Sequence, residues 1–426
     1  MRISQLELHN VGVFEHQIIE FRPKLDPDKA EIHILTGVNG SGKSTILYAL
    51  ASAFIGVPHV LLKRFRYEDS RSSLLLSASN SSKQRHVVKI EYDPNNRVSY
   101  VNDGHLLEFF RHSVNDSWQG MQTRNFEMAA FAYSGSRTLS SGTITSIFEL
   151  ETNPLSEALN FHNPIDTQQL IQWIANTKAK VAFSIQDNKP KQAENYQTSL
   201  RRIESAITEI VGESVEFTFH YDPLGVNVKV ADRELEFDLL PDGLKSIISW
   251  IADLLMRMDR LKWVDDRDVL DRNFILFLDE IEIHLHPAWQ RRILPVVQKL
   301  FKNAQIFIAT HSPFVVASVS DAWVYRFDVK DGQSQLASVE ASKAGSSYVT
   351  VLDEVFGIDE FFDPETERDF DEFERLKQEV LKGNHSVIDE LLAIAQRLSS
   401  KSIEVQDIVG RELRQLQRIT QQDLPL

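Results

Sequence analysis

At 426 residues the chain is long for one compact core and calls for two lobes or domains, while 42% hydrophobic and 25% charged residues are ordinary for a globular protein. Its 46 Lys and Arg against 61 Asp and Glu leave a net charge of −15, which excludes a generally basic, nucleic-acid-coating protein. With no cysteine, disulfide frameworks, thiolate nucleophiles and Cys-ligated zinc are excluded as well.

In chain order, Ile3–Leu8 and Ile18–Phe21 read as strands, a Pro/Asp loop runs from Pro23 to Lys29, and Ile32–Leu35 has the character of a buried strand. After a Gly-rich turn, Leu47, Leu50 and Phe54 give Thr45–Phe54 helical spacing, closed by Gly56 and Pro58. Val87–Tyr92 and Val98–Val101 read as a hairpin across the turn Asp93–Asn96. Two helices at about 166–185 and 192–211 flank Asp187–Pro190, a helical hairpin about 30 Å long at 1.5 Å per residue. Val215–Tyr221 and Val226–Val230 alternate as strands, and Leu244–Arg257 is an apolar helix. Phe274–Leu278 and Ile306–Ala309 are continuous apolar runs, as expected of strands buried on both faces of a partly parallel sheet. Helix dominates from about 347, with an acidic stretch at Asp359–Glu374 that is either a solvated face or a dock for a basic partner. The N-terminus shows no signal-peptide block, and no run approaches the roughly 18 apolar residues of a membrane span, so a soluble, cytoplasmic protein with no membrane contact is expected.

The segment Gly37-Val38-Asn39-Gly40-Ser41-Gly42-Lys43-Ser44 fits G-x-x-x-x-G-K-[ST] between a strand and a helix, the context that motif requires. Its glycines let backbone N–H groups turn inward on phosphate oxygens, and the helix N-terminus adds partial positive charge. ATP is therefore expected on Gly37, Asn39, Gly40, Ser41, Gly42, Lys43, Ser44 and Thr45, with Lys43 on the β- and γ-phosphates and the Ser44 hydroxyl on Mg²⁺. A Gly-rich turn with a chance lysine is the bland alternative. Asp279 and Glu280 end the Phe274 run, where α/β proteins place ligand chemistry: Asp279 suits the Mg²⁺ ion and Glu280 a general base for the attacking water. His311, within Ile308–Pro313, falls near the same sheet edge and can address the γ-phosphate, or can be a satisfied loop histidine.

Taken with Glu282-Ile283-His284-Leu285-His286-Pro287 and Thr310-His311-Ser312-Pro313, these motifs resemble the ABC-type ATPases of the RecF/SMC-like branch. The likeness is greatest to stand-alone prokaryotic ATPases of the overcoming-lysogenization-defect, Septu, PARIS and retron-associated defence systems, and it covers about residues 1–340. The resemblance implies an α/β P-loop ATPase head with a mixed sheet, an antiparallel β subdomain, a short helical hairpin insertion and a helical C-terminal region. The corresponding divisions are 1–160, 161–214, 215–345 and 346–426. It makes 282–287 the D-loop region of a dimer interface and His311 the switch histidine. Leu240-Pro241-Asp242-Gly243-Leu244-Lys245-Ser246 matches the family's signature motif, with Pro241 where serine is usual, so Asp242 and Gly243 are expected to face ATP held by a partner chain. His284 and His286 could instead be a metal pair, since i and i+2 point the same way on a strand. The loop that the family places between the nucleotide site and the moving lobe matches Tyr133–Arg137, which has no glutamine.

Lys63-Arg64-Phe65-Arg66 mixes cations with an aromatic ring, suited to DNA contact or to a solvated loop. The helical hairpin is far too short for a cohesin-like tether. After His311 the one Asp-x-Asp, Asp369-Phe370-Asp371, falls in a helix-like stretch, so no fused metal-dependent nuclease is expected. The resulting expectation is an ATP- and Mg²⁺-dependent ATPase acting as a homodimer, or an assembly of dimers, that controls a separately encoded effector, a nuclease, in antiviral defence. The alternatives are a RecF-like repair or recombination ATPase that clamps DNA and, with less support, the motor of a membrane transporter.

Overall fold

The computed structural model describes residues 1–55, 59–78, 81–91, 104–135, 139, 142, 144–162, 165–222, 224–342, 345–358 and 360–421. The chain divides into two compact units, Met1–Val351 and Leu352–Leu426.

The first unit is built on a six-stranded sheet in the order β13-β12-β3-β11-β10-β6. Strands β3 (Glu31–Gly37), β6 (Ala129–Tyr133), β10 (Phe274–Asp279), β11 (Ala304–Ala309) and β12 (Ala322–Lys330) run parallel, and β13 (Gln333–Ala341) returns antiparallel to β12. Every residue of β6, β10 and β11 is buried, which is why these segments read as unbroken apolar runs. Packing between them is aromatic: Phe277 and Phe307 stack with ring centroids 5.6 Å apart.

A four-stranded antiparallel sheet, order β2-β1-β4-β5, comprises β1 (Arg2–Val11), β2 (Phe14–Glu20), β4 (Arg71–Ala78) and β5 (Ser81–Glu91). The expected hairpin falls only partly within the described residues. Val87 and Val88 pair with Leu75 and Leu74 of β4, a strand whose serines mask its apolar face, whereas 92–103, with the expected turn and return strand, lie outside the described residues. A third antiparallel sheet joins β7 (Val215–Tyr221), β8 (Leu224–Val230) and β9 (Arg233–Leu235).

The helical hairpin is formed by Thr167–Gln186 and Pro190–Val211. Asp166 caps the first helix by accepting from the Gln169 amide, Pro190 opens the second where a missing N–H costs nothing, and Gly212 ends it at φ +86°. The helix Asp242–Arg260 follows, buried along most of its length.

At the edge where β3 and β11 begin, a sealed polar cluster ties β1 to the central sheet. Glu31 accepts from Arg2 Nε (2.7 Å) and Gln305 Nε2 (2.7 Å) and pairs with His33 Nε2 at 2.8 Å, while Gln305 Nε2 also reaches the Ile3 carbonyl. Burial pushes the Glu31 carboxyl up, but the His33 and Arg2 partners outweigh it and hold the group at about 2. Burial lowers His33, against the opposing pull of the Glu31 carboxylate.

The second unit packs helices Pro364–Leu381, Ile388–Ser399 and Ile403–Thr420 around Phe373, Leu376, Leu391, Leu398, Val409 and Leu413. Much of the acidic stretch is spent inside this unit: Asp369 accepts from Arg397, Glu365 from Lys401 (2.8 Å), and Lys377 bridges Glu374 and Glu412. Asp369 and Asp371 are on a helix, as the sequence suggests, and Asp369 is held by an arginine.

Candidate nucleotide site

The loop from Gly37 to Ser44 runs from the end of β3 into the helix Lys43–Ala51, and its glycines answer separate steric demands. Gly37, at φ +147°, passes so close to β12 that a Cβ would stand 2.2 Å from the Phe327 carbonyl oxygen. Gly42 caps the helix at φ +87° with the Phe14 ring 2.5 Å from where a Cβ would be. Gly40, at φ +81°, has no atom within 4 Å of that position, leaving open space over its backbone for a ligand.

The Lys43 ammonium donates to the carbonyls of Gly37 (3.0 Å) and Val38 (3.1 Å). Burial brings it down to about 8 against the opposing pull of Asp279, Glu282 and Glu280. Those three carboxylates come from the end of β10 and the turn after it. Asp279 is buried, and the chain then swings off the sheet at Glu280, which takes φ +49° and leaves its side chain exposed. The Glu280 amide still donates to the Ala309 carbonyl of β11 (2.9 Å), so the turn starts from a fixed point. Glu282 reaches back across it, and its Oε1 accepts from the His311 amide at 2.6 Å. Burial, more than the opposing bond from that amide, raises the Glu282 carboxyl, with Glu280 adding to the rise. Burial and the nearby Lys43 charge lower His311, against Glu280, so its ring is neutral. The structure therefore gathers Lys43, Asp279, Glu280, Glu282 and His311 at the edge where β3, β10 and β11 end.

Gly135, just beyond β6, lies against this turn: a Cβ there would be 2.7 Å from Glu280 Oε2 and 2.5 Å from Ile283 Cδ1. Tyr133 donates its hydroxyl to Asp253 Oδ2 (2.8 Å), the oxygen that also accepts from Arg257 Nε (2.6 Å), linking the end of β6 to the helix Asp242–Arg260. Ser136 and Arg137 lie outside the described residues.

At the start of that helix Pro241 occupies the cap position and provides no side-chain cap. The Asp242 side chain is exposed. Gly243 is covered by its own chain, since a Cβ would come within 2.6 Å of the His284 carbonyl oxygen and 3.0 Å of the Trp289 ring. The reading of His284 and His286 as a metal pair on a strand does not hold. Residues 281–284 form a turn with His284 at φ +64°, and His286 Nδ1 accepts from the Ala288 amide, capping the helix Pro287–Leu300. Among the described residues no group of three or more His, Asp or Glu side chains is arranged to hold a metal unaided. Ser44 and Asp279 are hard oxygen donors, and with phosphate oxygens they fit Mg²⁺, which completes its shell from substrate and water.

Of the basic run, Arg64 lies over the Tyr48 ring (4.4 Å) and donates to the Val60 carbonyl, and Arg66 donates to the Phe14 carbonyl. Both arginines thus serve the fold. Two features escaped the sequence: the grip of Glu282 on His311, and the Tyr133–Asp253–Arg257 link. The one hint of the first is an acid two residues after Glu280, in a turn otherwise apolar up to His284.

The fold that carries this site is similar to that of an SMC head. The solved structure of an "SmcHead bound to the C-winged helix domain of ScpA" matches 80% of this chain and 98% of that one, with a TM-score of 0.51 at 13% identity, a likeness of fold. The chain belongs to the family described as "AAA domain, putative AbiEii toxin, Type IV TA system", whose pattern matches residues 32–317. Among characterised sequences it is 22% identical over 382 residues to Septu protein PtuA of Bacillus thuringiensis, covering 88% of each chain. It is 22% identical to the Retron Vc95 probable ATPase of Vibrio cholerae over 81% of this chain and 78% of that one. Identity rises to 32% with the Retron Ec83 probable ATPase of Escherichia coli, over 35% of this chain and 27% of that protein's length. No helix among the described residues is long and apolar enough to cross a membrane.

Proposed function

We propose that this chain binds ATP with Mg²⁺ on Gly37–Thr45 and hydrolyses it, and that it does so as a homodimer, or an assembly of dimers, controlling a separately encoded nuclease in prokaryotic antiviral defence. The observation that carries the chemistry is the convergence of Lys43, Asp279, Glu280 and His311 on one sheet edge, with Lys43 and Glu280 both near enough to His311 to bias its proton. Lys43 holds the β- and γ-phosphates, and the backbone amides of 39–44 surround them. Ser44 and Asp279 would hold Mg²⁺, which would supply positive charge against the phosphate oxygens. Glu280 orients the attacking water and takes its proton, free to do so because its side chain is exposed at the end of a rigid strand. His311, neutral and close to Lys43, donates to the γ-phosphate. Asp242, exposed at the start of a long helix, presents that helix's free N–H groups to nucleotide on a partner chain.

The likeness to Septu PtuA and to retron ATPases supports the setting in defence. The DNA-clamping alternative has less support from its basic run, because Arg64 and Arg66 each also donate within the fold. The test is Glu280→Gln, which keeps size and hydrogen bonding but removes the base: hydrolysis should fall by roughly 10²- to 10⁴-fold while ATP still binds. Hydrolysis at the parent rate would sink the assignment. Copurification from the native host tests the effector, and recovery of the chain with replication proteins and no nuclease would sink that part alone.

A further inference from the structure

We infer that Glu282 is a positioning residue for the proposed hydrolysis, which fixes the switch histidine relative to the base by gripping the His311 backbone. The inference rests on the functional reading above but is carried by its own geometry.

Glu280 and His311 come from different strands, and each sits just past the point where its strand leaves the sheet. β10 and β11 stay paired through Asp279 and Ala309. Past that register the turn 280–282 is tied directly to 309–311 by the Glu280 amide on the Ala309 carbonyl and by the His311 amide on Glu282 Oε1, with the Thr310 side chain adding a hydrogen bond to the same carboxylate. The first is an extension of the sheet. The second is made by a side chain, is short, and is charge-assisted when the carboxylate is ionised, the class of bond roughly twice as strong as a neutral one. On the far side the Thr310 amide donates to the Leu35 carbonyl of β3 (3.1 Å), the strand that runs into the phosphate loop. The segment 310–311 is thus clamped between the strand feeding Lys43 and the turn bearing Glu280, and Glu282 makes the clamp on the base's side.

A second tie explains why the turn does not swing away from this grip. Gln290, on the helix Pro287–Leu300, donates to the Leu285 carbonyl (2.9 Å) and accepts from Ser312 Oγ (2.5 Å). Both ends of the turn are therefore stitched to the stretch that carries His311. A salt-bridge role for Glu282 alone would not need contact with a backbone amide, and a packing role would not need a carboxylate facing a donor. The bond also leaves the His311 ring uncommitted to Glu282, free to address substrate.

The test combines kinetics with a readout independent of turnover. Glu282→Ala removes a hydrogen bond to a charged group, so kcat should fall roughly ten- to hundredfold with KM for ATP changed less than about twofold. Glu282→Gln keeps the acceptor and should retain most of kcat, whereas Glu282→Asp keeps the charge, loses the reach and should resemble Ala. In a His311→Ala background the Glu282→Ala change should add less than about twofold, because the residue acts through the histidine. In full-length protein labelled with ¹⁵N-histidine, the His311 amide, identified by its loss in His311→Gln, should lie downfield and move upfield in Glu282→Ala. Losses that multiply in the double variant would overturn the positioning role, and a His311 amide indifferent to Glu282→Ala would overturn the tie itself. A parent chain that does not hydrolyse ATP would refute the functional reading while the amide shift still decides whether the tie exists.

Discussion

Replacing Lys43 by Met should abolish ATP binding without weakening the fold at neutral pH, although it deletes three hydrogen bonds, to the Gly37 and Val38 carbonyls and the Ser41 hydroxyl. The lysine is only 6% exposed, and burial drops its ammonium from 10.5 to about 8 despite the carboxylates around it. At 1.36 kcal/mol per unit that difference is about 3 kcal/mol, of which solvent near the ammonium screens part, leaving roughly 2 kcal/mol against folding. The sign follows from linkage. Below pH 8 both folded and unfolded chains hold the proton and the folded chain bears the whole cost. As pH rises from 8 to 10.5 the folded ammonium deprotonates first, and the cost disappears. Met has a similar length and no charge, so it carries no such cost at any pH. Urea unfolding of parent and Lys43→Met between pH 7 and 10.5 should therefore show the parent gaining roughly 2 kcal/mol relative to the variant as pH rises, other groups cancelling in the difference. ATP binding, measured by calorimetry at pH 7.5, should be lost. A stability difference that is flat or falls with pH would refute the burial argument, and an undiminished affinity would refute the role of the loop.

Gly42→Ala, strained at φ +87° and driven into the Phe14 ring, should cost roughly 2–4 kcal/mol by urea unfolding, whereas Gly40→Ala, at a similar φ in open space, should cost roughly 1–2 kcal/mol; equal costs would discredit the steric account. Glu31, held at about 2 in the fold, contributes stability above its unfolded value near 4.5 that drains away as pH falls towards 2; Glu31→Gln should abolish this acid limb of roughly 3 kcal/mol, and an unchanged acid titration would contradict the network. For the shared site, Asp242→Arg is the better probe than any change at Gly243, which its own chain covers. Mixing Asp242→Arg with Lys43→Ala subunits should restore some ATPase activity if the signature helix serves the partner's nucleotide, since one composite site per mixed dimer is intact. Mixtures as inactive as either variant, beside an active parent, would tell against the sandwich.

The parts legible in the amino-acid order are those whose physics is contained in a short window. Phosphate binding by backbone amides needs its glycines, lysine and hydroxyl within eight consecutive positions, so Gly37–Ser44 announces itself. Strands covered on both faces must be apolar throughout, which exposes β10 and β11, and a 3.6-residue period with a proline and a glycine at its ends exposes the helical hairpin. Reading failed where one face stays polar: Ser72, Ser73 and Ser77 conceal β4, and its pairing with β5 depends on register between separate segments. Tertiary structure alone decided the order of strands that sets β3 between β12 and β11, and the φ +49° bend that turns Glu280 out and Glu282 back. It also decided that Glu282 meets the amide of His311, 29 positions away, and that Gly243 lies under the His284 carbonyl. Such contacts join residues with no period or motif in common, because they are fixed by how strands pair and turns close, and by which groups burial then leaves in need of a partner.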